Sequence, residues 1–291
     1  MRADLASNWN IQANVLHDRP QEFFKRAVSA ESADLFNRHA WGRTSSGENA
    51  FYLPNGALRA DRPALLVSST SWTADEDFSV LLDAVAMCDA RVEKEKVPHF
   101  PNVRLVVTGK GDLLEYYKSK IAALSLVRFT FYTEFLSFQD YARLLGSADL
   151  GVSLHFSSSK LDLPMKLVDM FGSELPVAAY DYGCLSELVQ SGRNGFTFTS
   201  REQLSQILFD TLRKFPSDLS ILEKMRLEIK AFKKIKWSET WEEAAMPIFA
   251  RDSPQPPPQA EKVVSSSKGS PIPKSPKGGS RHRIVSPASK R

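Results

Sequence analysis

The sequence predicts an α/β protein built on a doubly wound parallel sheet, closed by C-terminal helices and followed by a disordered tail. From residue 64 onward, apolar runs of strand length alternate with helical stretches. Several of those runs are nearly continuous in Val, Ile and Leu, as strands buried on both faces are. Glycines, prolines and capping residues fall between the runs rather than inside them.

The strands are expected at residues 64–69, 103–109, 128–133, 148–155, 175–181 and 195–200. Helices are expected between them over residues 75–95, 112–124, 137–147, 163–173 and 185–192. Thr73 and Glu76 have the spacing of a T-x-x-E capping box for the first of these. Pro164 suits the first turn of its helix, where a missing N–H costs nothing. Gly172 and Gly192 are candidate helix terminators, and residues 191–195 read as a turn. Residues 200–214 and 217–236 are expected as closing helices, with a last short helix over 236–249. Upstream of the regular pattern, residues 21–41 look helical, but nothing before them resembles a complete domain.

Length and composition bound the possibilities. The 291 residues, 42% hydrophobic, suffice for one large or two modest cores. The net charge of +4 is unevenly placed. Residues 251–291 hold nine Lys/Arg against two Asp/Glu, net +7; the other 250 residues hold 29 against 32, net −3. The body is thus slightly acidic, which argues against a nucleic-acid partner. The tail is rich in Pro, Ser and Lys and lacks aromatics, so it cannot offset the entropy of ordering. Its four Ser-Pro steps, at Ser253, Ser270, Ser275 and Ser286, are places where phosphorylation would cancel positive charge. Cys88 and Cys184 lie far apart with no zinc-like spacing, so buried thiols in a reducing, cytosolic compartment are expected, without disulfide or metal. No run approaches the ~18 apolar residues that span a bilayer.

In an open parallel sheet, ligands bind outside the carboxyl ends of the strands. The loops expected there carry Ser69, Thr70 and Trp72; Gly109, Lys110 and Gly111; then His155, Ser158, Ser159, Asp162 and Lys166. Hydroxyls, free N–H groups at helix starts and two lysines suit phosphate recognition. No GxGxxG and no GxxxxGK[ST] occurs, which excludes the dinucleotide fingerprint and the P-loop. Each residue also has a plainer reading. The Gly-Lys-Gly run would serve as a simple turn, Trp72 as core, and His155 as a hydrogen-bonded structural residue. Lys166 and Asp169 sit three apart on a helix and would serve as a surface ion pair worth ~0.2–0.5 kcal/mol. As site residues, Lys166 reaches an anion and Asp169, an acceptor-only carboxylate, takes a sugar 2′/3′-diol. Asp162 is open between helix cap and site residue.

Residues 62–84 (RPALLVSSTSWTADEDFSVLLDA), 107–117 (VTGKGDLLEYY) and 146–177 (GSADLGVSLHFSSSKLDLPMKLVDMFGSELPV) resemble one family, the chitobiosyldiphosphodolichol β-mannosyltransferases. The strings SSTSWT-DEDF and SSS-LDLPMK-VDMFG carry the likeness, over roughly residues 1–200. The resemblance implies a GT-B glycosyltransferase, two Rossmann-like domains facing a cleft, with residues 61–250 as the nucleotide-sugar-binding domain. Residues 1–60 would be a remnant of the N-terminal domain and the interdomain linker. It implies GDP-mannose as donor, dolichol-linked chitobiose diphosphate as acceptor, no tightly bound cofactor and no metal. The wider family pattern puts a glutamate where this chain has Asp169, a ribose ligand; its earlier glutamate falls on Leu161 here. The general base is expected in the acceptor-binding half, which with its membrane anchor precedes the residues matched here, so no catalytic residue is assigned. A place on the cytoplasmic face of the endoplasmic reticulum membrane, in complex with other mannosyltransferases of the pathway, is also implied. The alternative is a nucleotide-sugar-binding or partner module without transfer activity.

Overall fold

A computed structural model of the chain describes residues 1–156 and 159–251. Its centre is a six-stranded, all-parallel sheet. The strands are β1 (Ala64–Ser69), β2 (Val103–Thr108), β3 (Phe129–Glu134), β4 (Leu150–Ser153), β5 (Val177–Tyr180) and β6 (Gly195–Phe198). Their order across the sheet is β3-β2-β1-β4-β5-β6. The chain runs outward from β1 to β3, then returns to the other side of β1, so the topological switch point lies between β1 and β4.

Ten α-helices accompany it among the described residues: α1 (Arg2–Trp9), α2 (Ser29–Arg38), α3 (Ser79–Glu95), α4 (Leu114–Ala122), α5 (Phe138–Ser147), α6 (Met165–Gly172), α7 (Arg201–Leu212), α8 (Ser220–Lys233), α9 (Trp237–Ala244) and α10 (Met246–Arg251). Side-chain alternation along each strand sorts the core into two layers. Ala64 and Leu66 join Leu105 and Val107 under α3 and α7. Leu65 and Val67 join Val106 and Val177 under α5, α6 and residues 24–51. Phe24, Phe36, Trp41 and Phe51 are all buried in that second layer, each worth roughly 1.5–3 kcal/mol of transfer free energy. Beneath the sheet's other end, Arg62 makes a bidentate pair with Asp149 at 2.8 Å, both residues being buried.

Several local expectations give way to tertiary contacts. The helix expected over 21–41 shrinks to α2, because residues before it lie extended along α5: the Ala27 N–H donates to the Gly146 carbonyl at 3.0 Å. The helix expected over 185–192 is a single 3-10 turn, Leu185–Glu187. There the Asn194 side chain accepts from Gln190 N–H at 2.8 Å and donates to the Leu188 carbonyl at 3.0 Å, replacing helical bonds. The Thr73–Glu76 capping box does not form. α3 starts at Ser79, whose N–H is taken by the Asp77 carboxylate at 3.0 Å. Pro164 is the residue before α6 rather than within its first turn. Gly172 does not terminate α6 by conformation; Glu174 takes the positive φ of 57°. A Cβ on Gly172 would come within 2.5 Å of the Pro20 side chain, so its smallness seats the residue 20–24 segment. Among the described residues no helix is long and apolar enough to cross a membrane. The Ser/Pro/Lys-rich tail beyond Arg251, with its four Ser-Pro steps, lies outside the described residues.

Candidate functional site

The carboxyl ends of β1 and β4 bring together loops far apart in sequence. Ser69 ends β1, its hydroxyl 3.2 Å from both the Tyr141 hydroxyl on α5 and the Thr108 hydroxyl at the end of β2. Thr70 continues the ladder, its N–H donating to the Thr108 carbonyl at 2.9 Å. Its hydroxyl accepts from the Trp72 N–H at 3.0 Å. These hydroxyls hold the loop in shape; Ser69 and Thr70 are buried.

The Gly-Lys-Gly run has a structural reason that sequence spacing does not show. Gly109 adopts φ 139°, and a Cβ there would lie 1.8 Å from the Thr70 carbonyl oxygen. A Cβ on Gly111 would lie 1.8 Å from the Ser71 carbonyl oxygen. The loop after β2 therefore rests directly on the loop after β1, at a distance that only glycine permits. Lys110 does not point to the switch point: its Nζ lies 3.6 Å above the exposed Phe135 ring, beyond β3. Trp72, expected at the ligand-facing rim, is 1% exposed and packs on Phe78 and Tyr117. Its size and apolar faces make it core, although it holds a φ of 50° and its indole N–H has no partner among the described residues.

Four polar side chains meet at the switch point. Lys166, in the first turn of α6, pairs with Glu76, not with Asp169. Glu76 is 3% exposed, its second oxygen buried without a hydrogen-bond partner among the described residues. His155, just after β4, stands between two carboxylates: Nε2 is 3.2 Å from Asp162 and Nδ1 is 3.9 Å from Glu76. Ser159 donates to Asp162 at 3.2 Å, so Asp162 belongs to this network rather than capping α6. The main-chain oxygen of Asp162 takes the Tyr182 hydroxyl at 2.9 Å. Ser158 lies outside the described residues. Asp75, beside the cluster, is held below the usual carboxylate range, chiefly by its hydrogen bond from Thr73. Glu76 is the residue that sequence spacing misplaces, since the capping-box pattern accounts for it locally.

Asp169, one turn further along α6, faces elsewhere. Half-buried, it lines a pocket of about 340 Å3 with Asp18, Arg19, Pro20, Gln21, Met165 and Trp237. Desolvation pushes its carboxyl up to about 7. The nearby Tyr141 hydroxyl rises to about 12, mainly through burial, with the Asp169 charge adding to the rise. No sequence signal marks Tyr141 as part of this region. Among the described residues, no group of three or more His, Cys, Asp and Glu side chains is placed to hold a metal ion. The arrangement offers a lysine and the N-terminal end of α6 to an anion, and carboxylates to hydroxyls.

A parallel sheet in this order, with a polar rim at its switch point, is a doubly wound Rossmann-type domain, and its likeness to solved glycosyltransferases makes it a GT-B-like fold. The glycosyltransferase from Rickettsia africae ESF-5 superposes with a TM-score of 0.60 at 14% identity, over 86% of this chain and 60% of that one. Anabaena HepE, solved with UDP and glucose, gives 0.56 at 16% identity, over 82% and 56%. The family model described as "Glycosyl transferases group 1" matches residues 62–214, and the chain belongs to that family. Mouse chitobiosyldiphosphodolichol beta-mannosyltransferase is 40% identical over 276 residues, 89% of this chain and 56% of the mouse protein. The human enzyme of that name is 39% identical over 269 residues, 85% and 56%. The UDP-glycosyltransferase TURAN of Arabidopsis thaliana is 39% identical over 282 residues, 86% and 61%. The chain thus spans about half the length of the curated relatives it matches.

Proposed function

We propose that this chain is the donor-binding half of a β-1,4-mannosyltransferase that moves mannose from GDP-mannose to chitobiosyl-diphosphodolichol, building the N-glycan core. The observation that carries this reading is the ~40% identity, over most of the chain, to relatives named for that acceptor and that sugar. The rim chemistry supports it. An α-linked donor and a β-linked product imply one in-line displacement, with inversion at the anomeric carbon. A base removes the acceptor hydroxyl proton as the C–O bond to the diphosphate breaks. Lys166 and the first N–H groups of α6 then stabilise the charge left on GDP. Asp169, ionised, accepts from the ribose hydroxyls. The general base lies in the acceptor-binding half, outside this match. The reading places the protein at the cytoplasmic face of the endoplasmic reticulum membrane, beside other mannosyltransferases of the pathway.

Calorimetry on the folded chain tests the donor assignment. GDP and GDP-mannose should bind saturably and at least tenfold more tightly than UDP. Lys166→Ala and Asp169→Ala should each weaken GDP by roughly tenfold to a hundredfold, the range of a charge-assisted hydrogen bond. Absence of saturable GDP binding, or preference for UDP, overturns the assignment. A second reading is donor binding without transfer. Transfer of mannose to a chitobiosyl-diphosphate lipid by this chain alone would exclude it.

A further inference from the structure

Glu76 is the most buried carboxylate at the switch point, and the donor reading gives it no task. It sits in the loop between β1 and α3, 90 residues from Lys166 in sequence, yet its Oε1 holds the Lys166 ammonium and lies 3.9 Å from His155 Nδ1. Glu76 is 3% exposed at the side chain; Lys166 is 28% exposed. The lysine therefore has a fixed, dry anchor on one side and open space on the other. A buried carboxylate is costly unless paired, so the pair is not a chance surface contact.

We infer that Glu76 is a positioning residue: it holds the Lys166 ammonium at the β1–β4 switch point, ready for the phosphate oxygens of a nucleoside diphosphate. This rests on the donor-half reading above. Lysine is a point charge on a flexible four-carbon stem, and ordering that stem on binding costs affinity. An anchor that orders it beforehand removes that cost. Protein kinases use a lysine–glutamate pair for the same purpose on unrelated architecture. The opposing effect is repulsion between the Glu76 charge and the incoming anion. It is the smaller one here, because the carboxylate sits behind Lys166 with its charge already balanced by the ammonium.

The test is calorimetry of GDP and guanosine with the full chain and its Glu76→Gln variant, which keeps the shape and removes the charge. GDP should bind about tenfold more weakly to Glu76→Gln, ~1.4 kcal/mol, with guanosine unchanged. In a cycle with Lys166→Met, the Glu76→Gln change should have no further effect on GDP. Lys166→Met strands a buried charge and is prone to unfold. If it does, mass-spectrometric labelling with an amine-reactive reagent replaces the cycle: Lys166 should react slowly in the wild type and several-fold faster in Glu76→Gln. Equal GDP affinity in Glu76→Gln, equal losses for GDP and guanosine, additivity in the cycle, or unchanged Lys166 reactivity overturns the inference and leaves the donor assignment standing. Failure of the wild type to bind GDP overturns both.

Discussion

Replacing Asp169 by Asn should stabilise the chain, increasingly as pH rises from about 4 and fully above pH 7. Asp169 lies half-buried on α6 with no hydrogen-bond partner for its carboxylate among the described residues, and desolvation raises its folded titration point from 3.8 to about 7. Between those values the folded chain holds a proton that the unfolded chain has released. Stability therefore falls as pH rises through that window, and the penalty is complete above pH 7. At about 1.4 kcal/mol per tenfold, the full linkage would approach ~4 kcal/mol. The side chain opens into the pocket beside residues 18–21, and solvent screening there reduces the expectation to about 2 kcal/mol. Asn keeps the shape and carries no charge to bury. At pH 8 Asp169→Asn should melt roughly 4–8 °C higher than the wild type. Near pH 4 the difference should all but vanish. Thermal melts followed by circular dichroism across pH 4–8 give the answer. A shift of equal size at both ends would mean that desolvation of Asp169 is not what the substitution relieves.

Gly109 and Asp149 give two further expectations. Gly109→Ala must take φ 139° and place a methyl 1.8 Å from the Thr70 carbonyl oxygen. The two rim loops would have to separate, at a cost of at least ~3 kcal/mol, seen as a lower guanidinium midpoint; an unchanged midpoint would show that the loops are not in contact. Asp149→Ala leaves the Arg62 guanidinium and the Leu65 N–H buried without their acceptor and should cost ~3–5 kcal/mol in urea titration. The Arg62→Met/Asp149→Leu double variant should regain most of that, and if it does not, the loss comes from packing instead.

The sheet was legible because its signal is long-range and redundant. Six apolar runs at βα spacing specify a parallel sheet even where one helix is misread, as residues 185–192 were. What the sequence hid is side-chain partnership across strand order. Thr73 and Glu76 satisfy a local capping rule, and nothing nearby reveals that Glu76 answers to Lys166 on the far side of β1. Only the β1–β4 adjacency makes them neighbours. Lys110 and Trp72 show the converse. Both sit in the right loops, but an aromatic ring outside β3 claims one and the core under α3 claims the other. Loop position at the strand ends was predictable from topology, while the direction of each side chain was not.

The charge balance at the switch point leads to the last prediction. Glu76 and Asp162 stand there with Lys166 and His155, and Asp169 opens into the pocket one turn further along α6, while Lys110 and Lys160 lie over Phe135 and Phe156. This is a poor place for a bare polyanion. A diphosphate is tolerated only if each carboxylate is already committed: Glu76 to Lys166, Asp162 to His155 and Ser159, and Asp169 to sugar hydroxyls. The last of these commitments requires a ribose. Inorganic pyrophosphate supplies the charge and none of the hydroxyls, so it should compete with GDP at least ~100-fold less well than unlabelled GDP, a difference of ~2.7 kcal/mol. Competition calorimetry at fixed ionic strength measures the ratio. If pyrophosphate displaces GDP at comparable concentration, charge alone holds the diphosphate and Asp169 takes no part in selecting a nucleoside.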